Sequence, residues 1–164
     1  VKRTRSKTKG TKLMEIFKLL DSGSNQLKSK NINSHKLDTE ILLSKTLKRR
    51  REQILINFNQ KVTKNNIKSF EKLIKRRLRR EPIAYILKEK EFWSKKFFVN
   101  KDVLIPRPET ELMVEKVLNI YKSQKINILD VGTGSGCILL SILSELKNSK
   151  GIGIDISLKA WGAK

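Results

Sequence analysis

Ile126-Asn127-Ile128-Leu129-Asp130-Val131-Gly132-Thr133-Gly134-Ser135-Gly136-Cys137-Ile138, taken with Gly151-Ile152-Gly153-Ile154-Asp155-Ile156-Ser157, decides the fold. Ile126, Ile128, Leu129 and Val131 make a short apolar, β-rich run, the mark of a strand covered on both faces. Asp130 lies near its carboxyl end, where open α/β sheets gather their ligands. Three glycines then alternate with small polar residues. Glycine there permits a sharp turn at positive φ, and the missing Cβ lets a ligand approach the backbone. Cys137, Ile138, Leu139, Leu140, Ile142 and Leu143 predict a helix whose first N–H groups point into the turn. Residues 151–156 predict a second strand with Asp155 at its end. A carboxylate about 20 residues beyond such a turn is placed to accept hydrogen bonds from ribose hydroxyls.

A dinucleotide fingerprint needs a third glycine where this chain has Cys137. The pattern here is instead G-x-G-x-G directly behind an acid. It resembles motif I of the class I methyltransferases that use S-adenosyl-L-methionine. The resemblance implies that Gly132, Thr133, Gly134, Ser135, Gly136 and Asp155 bind that cofactor. It also implies that turn N–H groups meet the methionine carboxylate, and that Asp130 helps hold the amino group. It calls for no metal.

Upstream, Glu91-Phe92-Trp93-Ser94 and Phe97-Phe98-Val99 read as a hairpin, with Asn100-Lys101-Asp102 as its turn. Pro106 and Pro108 suit extended backbone and then a helix start, capped by Thr110 or Glu109. Leu112, Val114, Val117, Leu118 and Tyr121 predict an amphipathic helix leading to Ile126.

A longer set of strings is more specific. Glu81-Pro82-Ile83-Ala84-Tyr85-Ile86, Glu91-Phe92-Trp93, Leu104-Ile105-Pro106-Arg107-Pro108-Glu109-Thr110-Glu111 and residues 128–136 together resemble the release-factor glutamine methyltransferases. The likeness runs from about Leu37 to Ala160. It implies methyl transfer to the side-chain amide of the glutamine in the Gly-Gly-Gln loop of peptide-chain release factors. Lys88 stands where the family has glycine, at a cost of about 1 kcal/mol if the backbone there has positive φ. The family's catalytic Asn-Pro-Pro-Tyr loop has no counterpart, because the prolines are Pro82, Pro106 and Pro108 alone. The resemblance therefore assigns no catalytic residue to this chain. It leads us to expect an amino-terminal portion that is inactive alone, its methyltransferase domain incomplete.

The remaining sequence predicts helices. Leu13, Ile16, Phe17 and Leu20 mark an opening one closed near Gly23. A second carries Leu37, Ile41, Leu42, Leu43 and Leu47, capped by Ser34 or Asp38. Ile54, Leu55 and Phe58 face inward on a third. Val62, Ile67, Phe70, Leu73, Ile74 and Leu78 lie on a fourth, with Thr63 as cap. The expected organisation is α/β: a basic, disordered leader at 1–12, a helical substrate-recognition domain at 13–90, and a β-hairpin linker at 91–105. The start of a Rossmann-like methyltransferase domain follows at 106–164.

No apolar run approaches the ~18 residues of a membrane span, and the basic start lacks a signal peptide's apolar stretch. The single cysteine fits a reducing cytoplasm. A monomer is expected of the whole protein. Of the net charge of +21, residues 1–100 carry +19. The densest runs are Lys48-Arg49-Arg50-Arg51 and Lys75-Arg76-Arg77 with Arg79-Arg80. They read as solvated helix faces, since Phe17, Phe58 and Phe70 do not alternate with them as a base-stacking platform would. His35 reads as a surface residue. Trp93 packs the hairpin on neighbouring helices, and Trp161 falls where a further helix begins. Two other readings stay open: a methyltransferase of ribosomal protein, DNA or RNA, and a basic RNA-binding helical module on a remnant.

Overall fold

A computed structural model describes residues 13–122 and 124–157. The expectations for the 1–12 leader and for Trp161 lie outside these residues. The elements are β1 (Met14–Glu15), α1 (Ile16–Lys28), α2 (His35–Leu47), α3 (Arg51–Ile56), β2 (Lys61–Val62), α4 (Lys64–Leu78), α5 (Ile83–Leu87), β3 (Glu89–Phe92), β4 (Lys95–Phe98), a 3-10 turn (Pro108–Thr110), α6 (Glu111–Tyr121), β5 (Asn127–Val131), α7 (Cys137–Glu145) and β6 (Lys150–Ile154). This is a mixed α/β chain whose described sheets each have two strands. It divides into two compact units between Glu81 and Pro82.

The first unit packs α1, α2 and α4 around Ile16, Leu19, Leu27, Leu42, Leu43, Phe70 and Ile74, all buried. The opening helix does not close at Gly23 but runs on to Lys28. Gly23 is instead a contact point, where an added Cβ would lie 2.8 Å from Thr39 Cγ2 and 3.0 Å from Phe70 Cζ. Glycine is kept mid-helix, against its propensity, because three helices converge there.

The buried face of α2 differs from the expected stripe: Asp38, Thr39, Leu42 and Leu43 are buried, while Leu37 is exposed. Ser34 and Asp38 make no side-chain bond to the helix's free N–H groups. Ser34 Oγ donates to Asp38 Oδ2, which also accepts from Arg77 Nε of α4 at 2.7 Å. Asp38 is thus an internal anchor, a role that local capping rules do not reveal. His35 is half-buried rather than at the surface, its Nδ1 lying 2.8 Å from Ser24 Oγ. Val62 belongs to β2, paired antiparallel with β1, and not to the following helix. Thr63 caps α4 as expected, accepting from the Asn66 N–H. Phe17 and Phe58 stay largely exposed, lining with Leu20 and Leu55 an open groove of about 350 Å³.

In the second unit β3 and β4 form an antiparallel hairpin, with Phe92 opposite Lys95. Its turn is Trp93-Ser94, not Asn100-Lys101-Asp102. Both turn residues have positive φ (50° and 55°), the pairing of backbone that tight two-residue hairpins favour. The sequence hid this turn because neither residue is glycine or asparagine. Asn100 begins a separate turn after the hairpin, its Oδ1 accepting the Asp102 N–H and its carbonyl the Val103 N–H. Lys88, closing α5, has φ 60°, so the left-handed backbone expected there is present. The Pro108–Thr110 turn precedes α6, and no side-chain cap from Glu109 or Thr110 is formed.

Phe92, Phe97, Val114, Cys137, Ile142 and Leu146 make this unit's core, with Trp93 packed against it. The Trp93 N–H donates to Glu111 Oε1 at 2.8 Å, and its indole Nε1 to Glu145 Oε1 at 3.1 Å. The hairpin is thereby fastened to α6 and α7, as expected of this tryptophan.

Strands β5 and β6 are parallel and joined through α7, a β-α-β unit. Gly151 lies against α7, where an added Cβ would meet Leu139 Cδ1 at 2.5 Å. The opposite face carries Leu129, Val131, Ile152 and Ile154, all exposed. Among the described residues the expected cover on both faces is therefore found on one only. Two strands and one helix do not supply enough apolar surface for a second layer. Leu140 of α7 is also exposed.

Candidate functional site

The site grows from the parallel register of β5 and β6. Asp130 stands opposite Gly153 and Val131 opposite Ile154, so both strands end together below the glycine turn. The chain must then reverse into α7. Gly132, Gly134 and Gly136 do this at φ 80°, 54° and 74°, values that strain any side-chain-bearing residue. The Ile154 carbonyl accepts the N–H groups of Gly132 (2.8 Å) and Thr133 (3.0 Å), stapling the turn to the second strand. Gly136 caps α7 and donates its N–H to the Thr133 carbonyl.

The two acids close the site. Asp155 Oδ2 accepts the Gly134 N–H and its Oδ1 the Ser157 N–H, each at 2.8 Å. These donors, Ser157 foremost, hold the Asp155 carboxyl below its usual range, so it is an anion at neutral pH. Asp130 Oδ2 accepts from Thr133 Oγ1 at 2.8 Å. The structure thus gathers all six candidate residues, Gly132, Thr133, Gly134, Ser135, Gly136 and Asp155, with Asp130, at one end of the parallel pair. The turn N–H groups were expected to face a ligand. The bond from Gly134 to Asp155 is an addition that the sequence did not reveal, because it depends on two strands ending in register.

The backbone at Gly132 is open on its outer side. A Cβ built on Gly132 meets nothing within 4 Å, so glycine there is not demanded by internal packing. Ser135 Oγ is enclosed and makes no hydrogen bond of ordinary geometry among the described residues. Burial pushes the Cys137 thiol up, which keeps it a packed thiol and not a nucleophile.

The basic runs have a structural employment. Arg76 Nε donates to Glu81 Oε2 at 2.8 Å, and this bond holds the Glu81 carboxyl below its usual range. Arg77 binds Asp38, Arg80 donates to the Lys30 carbonyl, Arg49 donates to Gln60, and Arg51 faces Glu40 at 3.4 Å. Guanidiniums held this way tie helix ends together. Among the described residues no helix is long and apolar enough to cross a membrane.

Known proteins resemble this chain over most of its length. Residues 18–87 match the PrmC N-terminal domain. A release factor glutamine methyltransferase of Buchnera aphidicola subsp. Baizongia pistaciae is 45% identical over 157 residues, covering 92% of this chain and 56% of that protein. This stretch is homologous to the amino-terminal portion of the release factor glutamine methyltransferases. The same-named protein of Leptospira interrogans is 41% identical over 147 residues, 88% of this chain and 51% of its own length. A bifunctional methyltransferase of Rickettsia typhi is 40% identical over 164 residues, 88% of this chain but 32% of that protein. The chain therefore spans about half of the former relatives and about a third of the latter.

Proposed function

We propose that the protein carrying this segment transfers a methyl group from S-adenosyl-L-methionine to the side-chain amide nitrogen of the glutamine in the Gly-Gly-Gln loop of peptide-chain release factors. The observation that carries this reading is the 45% identity to a release factor glutamine methyltransferase over 92% of the chain. The glycine turn, with an acid at each strand end, supports it.

In this reading residues 106–164 begin a Rossmann-like class I methyltransferase domain, with 91–105 as its hairpin linker and 13–90 as the part that recognises substrate. Gly132, Thr133, Gly134, Ser135 and Gly136 line the cofactor's amino-acid end. Gly132 leaves the backbone open to close approach. Asp155 accepts the ribose hydroxyls while keeping the Gly134 N–H in place. Asp130, oriented by Thr133, faces the amino group. When bound, the sulfonium supplies an already activated methyl group, so the protein's task is positioning and no metal is required. Held beside residues 132–136, Asp130 and Asp155, the group would supply the methyl that the substrate amide nitrogen takes up, with an amide proton lost to solvent. The reaction belongs in the cytoplasm, where the single buried Cys137 stays reduced.

The test is label transfer. Full-length protein and labelled S-adenosyl-L-methionine should methylate a release factor and leave its loop-glutamine-to-alanine variant unlabelled. Equal labelling of both, or of neither, overturns the proposal.

A further inference from the structure

Thr133 is the buried residue of the glycine turn. Its hydroxyl donates to Asp130 Oδ2 at 2.8 Å, and its backbone N–H to the Ile154 carbonyl at 3.0 Å. The side chain fits because of a gap on the neighbouring strand. Gly153, the register partner of Asp130, has no side chain. A Cβ there would stand 2.8 Å from Thr133 Oγ1 and 2.9 Å from its Cβ and Cγ2, closer than real contacts allow.

From this arrangement we infer that the Thr133 side chain, unlike the turn backbone it belongs to, does not touch the cofactor but positions Asp130 to grip the amino group of S-adenosyl-L-methionine, in a space that Gly153 keeps open. The inference rests on the proposed cofactor site and assigns Thr133 a different role within it. A hydroxyl bound to one carboxylate oxygen fixes the carboxylate plane and leaves the second oxygen for an ammonium donor, a charge-assisted contact sensitive to angle. Asp155 is held separately, by Gly134 and Ser157. The two ends of the ligand are therefore governed by different acids. Damage at Thr133 should be felt at the amino-acid end alone.

Two probes separate the ends: S-adenosylhomocysteine, which has the amino-acid moiety, and 5′-methylthioadenosine, which lacks it. Their Kd values are measured by calorimetry and competition on the full-length protein and its variants. Thr133→Val should weaken S-adenosylhomocysteine about tenfold or more, as loss of a charged hydrogen bond does, and leave methylthioadenosine within about twofold. Thr133→Ser should restore wild-type affinity. Gly153→Ala, which displaces Thr133 without removing its hydroxyl, should reproduce the selective loss and serves if Thr133→Val does not fold. Equal weakening of both probes, or of neither, overturns the inference and makes Thr133 part of the scaffold. Wild-type protein that binds neither probe overturns the cofactor site itself, and this role with it.

Discussion

Arg77 Nε donates to Asp38 Oδ2 at 2.7 Å, joining α4 to α2, with side chains only 17% and 7% exposed. Asp38 also accepts from Ser34, and Arg77 Nη1 donates to the Glu81 carbonyl at 3.2 Å. The pair is thus satisfied on both sides, which is what makes a buried charge tolerable. Removing one partner leaves the other buried and unmatched. Arg77→Met should lower unfolding free energy by about 3 kcal/mol, and adding Asp38→Asn should recover part of it. Urea denaturation of the wild type and the two variants measures this. A double variant no better than the single one would mean the pair does not act as a unit.

Gly23 offers a steric test of the same helical unit. Gly23→Ala raises helix propensity by about 1 kcal/mol, yet it presses a methyl group to 2.8 Å from Thr39 Cγ2. Crowding of this kind costs about 1–3 kcal/mol, so net destabilisation is expected. Pairing it with Thr39→Ser, which removes the opposed methyl, should relieve the loss. Thermal unfolding decides the sign.

Lys88 predicts a gain. It sits at φ 60° and ψ 25°, backbone that glycine adopts without strain. Lys88→Gly should stabilise the protein by about 1 kcal/mol, less whatever glycine costs in unfolded-chain entropy. A lower melting temperature would mean that the lysine side chain has a role that outweighs its backbone strain.

Asp155 ties the proposed cofactor site to pH. Its carboxyl lies below the ordinary 3.8 because the Ser157 and Gly134 N–H groups donate to the anion. A depressed pKa stabilises the fold above the unfolded-state value, and that contribution is lost as pH falls through the lower folded value. The turn should hold through mild acid and loosen only below the usual aspartate range. NMR titration should show the Asp155 carboxyl and the Gly134 amide moving with one midpoint under 3.8. A midpoint at or above that value would contradict the observed bonds. In cofactor binding, Asp155→Ala should weaken affinity on the order of tenfold or more.

Much of the site could be read from the sequence because glycine is informative where φ is positive. The alternation of Gly132, Gly134 and Gly136 between two apolar runs leaves few other folds. Ile67, Phe70 and Ile74 were legible for a similar reason, since one helical stripe buries all three. What escaped depends on partners distant in sequence. Gly23 looked like a helix end because its reason for being small lies on α2 and α4. Asp38 looked like a cap because Arg77 is not visible from its neighbours. The hairpin turn at Trp93-Ser94 lacked the usual turn residues, and the packing of Trp93 against α6 and α7 fixes it there.

That last arrangement equips the second unit with an optical reporter. The Trp93 indole is held between a core contact and the Glu145 carboxylate, and its backbone by Glu111. In protein with Trp161 replaced by phenylalanine, its emission should shift to longer wavelength as soon as the hairpin lifts from α6 and α7. Opening of this unit can then be followed in real time without any attached dye.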